Sequence, residues 1–303
     1  MNKLQEEIIR LKKEKEAIIL AHNYQKPEIQ DIADFMGDSI ELCRKAHQTR
    51  ARMIVFCGVD FMAQSAVILN PDKKVLIPSK AALCPMAQML PPDYLKFWQE
   101  RYPGVPTVLY VNTLGETKAL CDVCCTSANA VKIVEKMPEK KILFGPDSHL
   151  AAYVAKETGK EIIPVPSHGY CPVHVLFERE DLLKLRAMHP EAILMIHPEC
   201  PMEAIQMADF VGSTSQMGHF VEQTDAKTFI VGTEIGLIHR LKKENPKKEF
   251  IPANPEAICT AMKAITLEKV YMALKEERYE VTLPKKEVKA AQQSLEKMVE
   301  IVR

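Results

Sequence analysis

The sequence predicts an α/β fold of three homologous small modules with parallel sheets, related by pseudo-threefold symmetry and sharing one active site at their junction. Three observations predict it. Short, continuous apolar runs, the mark of strands buried on both faces, alternate with stretches of helical spacing. The runs recur at intervals of 87 and 88 residues along the 303-residue chain, and such a long repeat decides an architecture before any single element does. In each period the last run leads into a cysteine, giving Cys84, Cys171 and Cys259.

The opening M-N-K-L-Q-E-E-I-I-R-L-K-K-E-K-E is an amphipathic charged helix. The first strand is A-I-I-L-A-H-N-Y (Ala17 to Tyr24), halted by polar groups. Pro27 then opens a helix carrying Ile29, Ile32, Ala33, Phe35 and Met36, with Gly37 as its stop. Strands M-I-V-F-C-G (Met53 to Gly58) and K-V-L-I-P (from Lys74) finish the module. In the second, T-V-L-Y-V-N-T (Thr107 to Thr113) leads to a helix with Ala130, Val131, Ile133 and Val134, capped by Thr126 or Ser127, and then to strands at Lys141 and Glu161. In the third, A-I-L-M-I-H-P-E (Ala192 to Glu199) precedes a helix opened by Pro201 with Ala204, Ile205, Ala208 and Phe210, followed by strands at Thr228 and Glu249. Each module reads as βαβαβ. The boundaries are 1–84, 85–171 and 172–259, and residues 260–303 return to the first module. The final helix does so with an apolar stripe of Val288, Ala291, Leu295, Met298 and Ile301.

Forty basic and forty acidic residues balance, so no basic stripe offers itself to nucleic acid. No apolar stretch approaches the roughly 18 residues needed to span a bilayer, and no export signal opens the chain, which predicts a cytoplasmic protein with no membrane partner. Nine cysteines in such a chain favour metal binding or catalysis over a disulfide framework.

In parallel sheets, ligands gather beyond the carboxyl ends of the strands. Cys84, Cys171 and Cys259 all follow a module's last apolar run, so threefold packing would bring three thiols to one point. A [4Fe–4S] cube suits them: three cysteines hold three irons and leave the fourth open as a Lewis acid. Structural zinc prefers four ligands in close pairs. Rivals exist within the sequence. Cys121, Cys124 and Cys125 form C-D-V-C-C, a metal or redox signature or simply buried filler. Cys171 with His168 and His174 offers a zinc set, and Cys43, Cys57 and Cys200 stand alone as small core residues. Neither G-x-G-x-x-G nor a P-loop is present.

Several motifs in order resemble the quinolinate synthase family along nearly the whole chain: A-H-N-Y-Q-K-P-E-I-Q-D-I-A-D-F-M-G-D-S from Ala21, Y-V-N-T from Tyr110, C-T-S-A-N-A-V from Cys125, G-Y-C-P-V-H from Gly169, I-H-P-E-C from Ile196 and G-S-T-S-Q-M from Gly212. The resemblance implies condensation of iminoaspartate with dihydroxyacetone phosphate to quinolinate, phosphate and water in NAD biosynthesis, and a functional link to the enzyme that supplies iminoaspartate. It implies an oxygen-sensitive [4Fe–4S] cluster on Cys84, Cys171 and Cys259. It implies substrate contacts from His22, Ser39, Tyr110, Asn112, Ser127, His174, His197, Glu199, Ser213 and Thr214, with Glu199, His197, Tyr24 and Tyr110 as acid–base groups. An aconitase-like hydro-lyase and an iron–sulfur sensor remain as alternatives. A cysteine-rich disulfide switch has no residues beyond Cys121 and Cys124.

Overall fold

The computed structural model describes residues 3–302. After the helix Lys3–Glu14, twelve strands follow in three groups of four. They are β1 (Ala17–His22), β2 (Phe35–Gly37), β3 (Met53–Cys57) and β4 (Lys74–Leu76); β5 (Thr107–Tyr110), β6 (Val123–Cys125), β7 (Lys141–Gly145) and β8 (Glu161–Pro164); and β9 (Ile193–Ile196), β10 (Phe210–Val211), β11 (Thr228–Gly232) and β12 (Glu249–Pro252). The sheets run β2-β1-β3-β4, β6-β5-β7-β8 and β10-β9-β11-β12. All pairings within them are parallel. In each sheet the chain steps one way from the first strand to the second and the other way to the third, which leaves a crevice at the first strand's carboxyl end.

The apolar runs form the central strands for the expected reason. Every residue of β3 is buried, and β7 and β11 are buried after their first residue. Each fully buried side chain such as Ile54, Phe144 or Phe229 contributes roughly 1.5–3 kcal/mol.

Three expectations need correction. The modules hold four strands, not three, so each cysteine follows a fourth strand. The extra strands, β2, β6 and β10, are short edge strands, β2 and β10 lying where helix was expected and β6 just before the expected helix. The helix after Tyr24 ends at Gln30 and the one after Pro201 at Ile205, so Phe35, Met36 and Phe210 pair with β1 and β9 instead. Asn129, not Thr126 or Ser127, is the N-cap of the helix Ala130–Lys136, and its side chain accepts the Thr126 N–H at 2.6 Å. The C-terminal helices also divide. Leu267–Glu276 lies on Lys3–Glu14 and β3, whereas Lys285–Val302 lies chiefly on β6 and the helix Gly115–Lys118. Its stripe of Ala291, Leu295 and Met298 therefore joins the core of the second sheet.

Candidate active site

The first strands of the three sheets deliver polar side chains in one pattern, two residues apart: His22 and Tyr24 at the end of β1, Tyr110 and Asn112 at the end of β5, and His197 and Glu199 just past β9. They line a single cavity of about 260 Å³ with Ser39, Ser127, His174, Thr214 and all three cysteines, Cys84, Cys171 and Cys259. Among the described residues that line it, none is a lysine or an arginine. Ser213 is the one expected site residue outside it. Its hydroxyl accepts the Gln216 N–H at 3.3 Å while the Gln216 side chain accepts the Ser213 N–H at 2.8 Å, a capping box for the helix Thr214–Gln223.

A directional hydrogen-bond chain crosses the cavity wall. Tyr110 Oη donates to Glu199 Oε1 at 2.5 Å, and His174 Nδ1 lies 2.9 Å from Glu199 Oε2. A carboxylate only accepts, so His174 donates through Nδ1, and in the neutral ring Nε2 accepts from Thr233 Oγ1 at 2.9 Å. Thr233 then accepts from Tyr24 Oη at 2.6 Å. Both Glu199 oxygens are thus held, and Tyr24 and Glu199 are joined through Thr233 and His174. Burial would raise the Glu199 carboxyl, but His174 and His197 beside it and the bonds from His174 and Tyr110 outweigh that and hold it at about 2. Burial, with Glu199 nearby, pushes both tyrosine hydroxyls well above their usual range.

His22 and His197 are set alike. The Tyr24 N–H donates to His22 Nδ1 at 3.2 Å and the Glu199 N–H to His197 Nδ1 at 3.3 Å. Each Nδ1 therefore carries no proton, and each neutral ring keeps its hydrogen on Nε2. Burial lowers both histidines to about 3, so the 3.8 Å approach of His197 to Glu199 is not an ion pair. Thr214 Oγ1 accepts from Asn23 Nδ2 at 2.8 Å, leaving its own hydrogen to donate. Asn112 Oδ1 and Thr126 Oγ1, on two lining residues, are buried without a hydrogen-bond partner, which suits a cavity awaiting a polar guest.

The cysteines fall into two settings. Cys84, Cys171 and Cys259 are partly exposed to the cavity. Burial raises each thiol, and the backbone N–H of Ala87, of Val173 and His174, and of Ala261 and Met262 respectively oppose it. Cys121 and Cys124 lie away from the cavity, their sulfurs 3.8 Å apart and Cys124 3.4 Å from Ser294 Oγ. Cys43, Cys57 and Cys200 are buried. Cys171, His174 and Glu199 also place ligand atoms within 4.8 Å of one another. His174 and Glu199 spend those atoms on each other and on Thr233 and Tyr110, and the exposed His168 is not among them. The donor set free to face a guest is the three soft thiols, which fit an iron–sulfur group better than a hard cation.

Strand-end histidines, an ionised carboxylate and three thiols around one crevice define a class: an α/β protein with a metal-capable site for a small polar molecule. Within it, the family model described as Quinolinate synthetase A protein matches residues 6–300, and the chain belongs to that family. The chain is 49% identical over 297 residues to the quinolinate synthase of Thermotoga maritima, covering 98% of this chain and 99% of that one. The corresponding protein of Methanocaldococcus jannaschii is 51% identical over 301 residues, 98% of each chain, and that of Pyrococcus furiosus 51% over 301 residues, 99% of each. Among the described residues no helix is long and apolar enough to cross a membrane.

Sequence reasoning missed Thr233, which joins the hydrogen-bond chain, and Glu234, which lines the cavity. Both directly follow the glycine that ends β11, and that strand-end position was the available signal.

Proposed function

We propose that the protein is a quinolinate synthase, a transferase that condenses iminoaspartate with dihydroxyacetone phosphate to quinolinate, phosphate and water in NAD biosynthesis. Cys84, Cys171 and Cys259 would hold a [4Fe–4S] cluster. The observation that carries this reading is that the three thiols line the same cavity as the Tyr110–Glu199 pair. When bound, the cluster supplies a Lewis-acidic iron at its open corner.

The remaining work falls to the chain itself. With no lysine or arginine among the described residues of the wall, the anionic groups of the substrates meet neutral donors: His22 and His197 through Nε2–H, Thr214, Ser39 and Ser127 through hydroxyls, and Asn112 through its amide. Ser39 and Thr214 begin helices, whose N-terminal N–H groups favour anions. Ring formation by condensation and dehydration needs protons removed and returned. Glu199, ionised at neutral pH and hydrogen-bonded by Tyr110, accepts a proton, and Tyr24 supplies one, with Thr233 and His174 passing protons between them. Because an imine hydrolyses in water, the enzyme that makes iminoaspartate is the expected functional partner. An oxygen-sensitive cluster suits a cytoplasmic setting.

The test is an anaerobic assay of the purified chain with both substrates. Quinolinate should form, and the protein should be brown, hold about four irons and bleach in air. A colourless zinc protein without quinolinate formation would overturn the proposal. An aconitase-like enzyme would instead hydrate or dehydrate another acid, and a sensor would turn nothing over.

A further inference from the structure

Each of the three cavity cysteines is stitched to the loop beyond its sheet's third strand by one backbone bond, and Cys84 and Cys259 by a second bond to a carboxylate. The first is backbone to backbone. The carbonyl two residues before the cysteine accepts an N–H from the start of the helix after that strand: Asp60 to Ala82 at 2.9 Å, Ser148 to Gly169 at 2.8 Å, and Ile235 to Ala257 at 3.1 Å. The second comes from a carboxylate at that helix start, lying 24 or 25 residues before the cysteine. Asp60 Oδ1 accepts the Cys84 N–H at 3.0 Å, and Glu234 Oε1 accepts the Cys259 N–H at 3.1 Å. Asp147 stands at the equivalent place, with the Cys171 N–H close enough to act on its carboxyl.

The remaining carboxylate contacts distinguish the three. Four residues after Cys84, Gln88 Nε2 donates to Asp60 Oδ2 at 2.9 Å. Four residues after Cys259, Lys263 Nζ lies 2.8 Å from Glu234 Oε1. Four residues after Cys171 stands Val175, which has no side-chain donor. Asp147 Oδ1 accepts the Leu150 N–H at 2.7 Å, while Oδ2 is buried without a partner. The second clamp compensates sterically, since a Cβ on Gly169 would stand 1.8 Å from the Pro146 carbonyl oxygen. Only glycine lets the two loops approach this closely there.

We infer that Asp60 and Glu234 are positioning residues that fix the first and third cysteine loops, so that their thiols are aimed at the cavity before any cluster arrives. This rests on the reading that the cysteines are cluster ligands. The first and third clamps are closed by the side chain four residues on, and the second is held by backbone proximity alone. Asp60 therefore matters through hydrogen bonds that a neutral amide can replace, because an amide oxygen also accepts an N–H, whereas Glu234 accepts with both oxygens, Oε2 from the Gly236 N–H at 2.7 Å, so an amide there replaces only part of its bonds.

The test compares Asp60→Ala and Glu234→Ala with Asp60→Asn and Glu234→Gln in the full chain. Anaerobically reconstituted protein is challenged with an iron chelator, and the cluster's EPR spectrum after reduction is recorded. The alanine variants should lose iron roughly 10- to 100-fold faster than the parent, as for partners that orient metal ligands, and shift the EPR signal; Asp60→Asn should restore most of both and Glu234→Gln only part. In metal-free protein, amide exchange at Cys84 and Cys259 should quicken in the alanine variants, recover in Asp60→Asn and recover partly in Glu234→Gln. That measurement needs no iron, so a parent that binds no cluster would defeat the cluster reading while the clamp is still judged. Unchanged iron loss and unchanged exchange in folded alanine variants would overturn the inference.

Discussion

The cavity cysteines and the C-D-V-C-C cysteines are the same chemical group in opposite circumstances. Cys84, Cys171 and Cys259 are far apart in sequence, follow the fourth strand of their sheets, and meet at one cavity. Cys121 and Cys124 are three residues apart, yet Cys124 lies within a strand and the pair is covered by Ser294 of the C-terminal helix. Lys118, whose charge acts on Cys124, is buried, donates to the Thr113 carbonyl, and is lowered by burial to about 8. Density of cysteine in the sequence therefore marks a packed pair, and even spacing marks the shared cavity. What separates the two is position relative to the strand ends, not ligand count.

The sharpest way to break this contrast is to remove thiols one at a time. Cys84→Ser, Cys171→Ser and Cys259→Ser should each abolish iron binding and turnover, since each removes one of the three proposed thiolate ligands. Iron per chain, measured anaerobically, checks this. Retention of iron by Cys171→Ser together with its loss from Cys121→Ser would invert the comparison.

Within the cavity, Glu199→Gln should keep the iron and lower turnover by ~10²- to 10⁴-fold, the usual loss for an essential acid–base group. Turnover within a few-fold of the parent, at normal iron content, would take Glu199 out of the chemistry.

Acid should distinguish the regions next. His22 and His197 are held near 3 in the folded chain against an ordinary 6.5. Above pH 6.5 both states are neutral and nothing changes. As pH falls from 6.5 towards 3 the unfolded chain takes up protons that the folded chain refuses, costing about 1.4 kcal/mol per pH unit for each histidine. Glu199, ordinarily 4.5 and held at about 2, adds a further loss as pH falls from 4.5 to 2. Urea unfolding of the metal-free protein against pH should show this slope, and His22→Gln should flatten it between 6.5 and 3.

The smallest effect is expected at the packed pair. Cys121→Ser and Cys124→Ser should leave iron at the parental level and cost about 1 kcal/mol, as for a weakened buried hydrogen bond, read from the unfolding midpoint.

Much of this was legible in the chain because the repeat is long and regular: the central strands, the residues at their ends and the three cavity cysteines all recur at 87 or 88 residues. The edge strands were not legible. β10 has two residues and β2 three, and Phe35 remains 36% exposed, so neither leaves an apolar run longer than a helical turn would. Thr233 escaped notice because its role depends on His174, 59 residues away. The capping box at Ser213 was legible too, since S-T-S-Q carries its serine-to-glutamine spacing.

The even dispersal of the cavity cysteines also sets a timetable for biosynthesis. A chain emerging from the ribosome presents Cys84, then Cys171, and only with Cys259 the third wall of the cavity. His174, His197, Glu199, Thr233 and Glu234 arrive with that third module as well. A nascent chain that ends with the second module therefore offers two thiol loops and, of the hydrogen-bond chain, Tyr24 and Tyr110 alone, with the cavity's third wall still to come. Selectivity is a property the molecule acquires only at the end of its own synthesis.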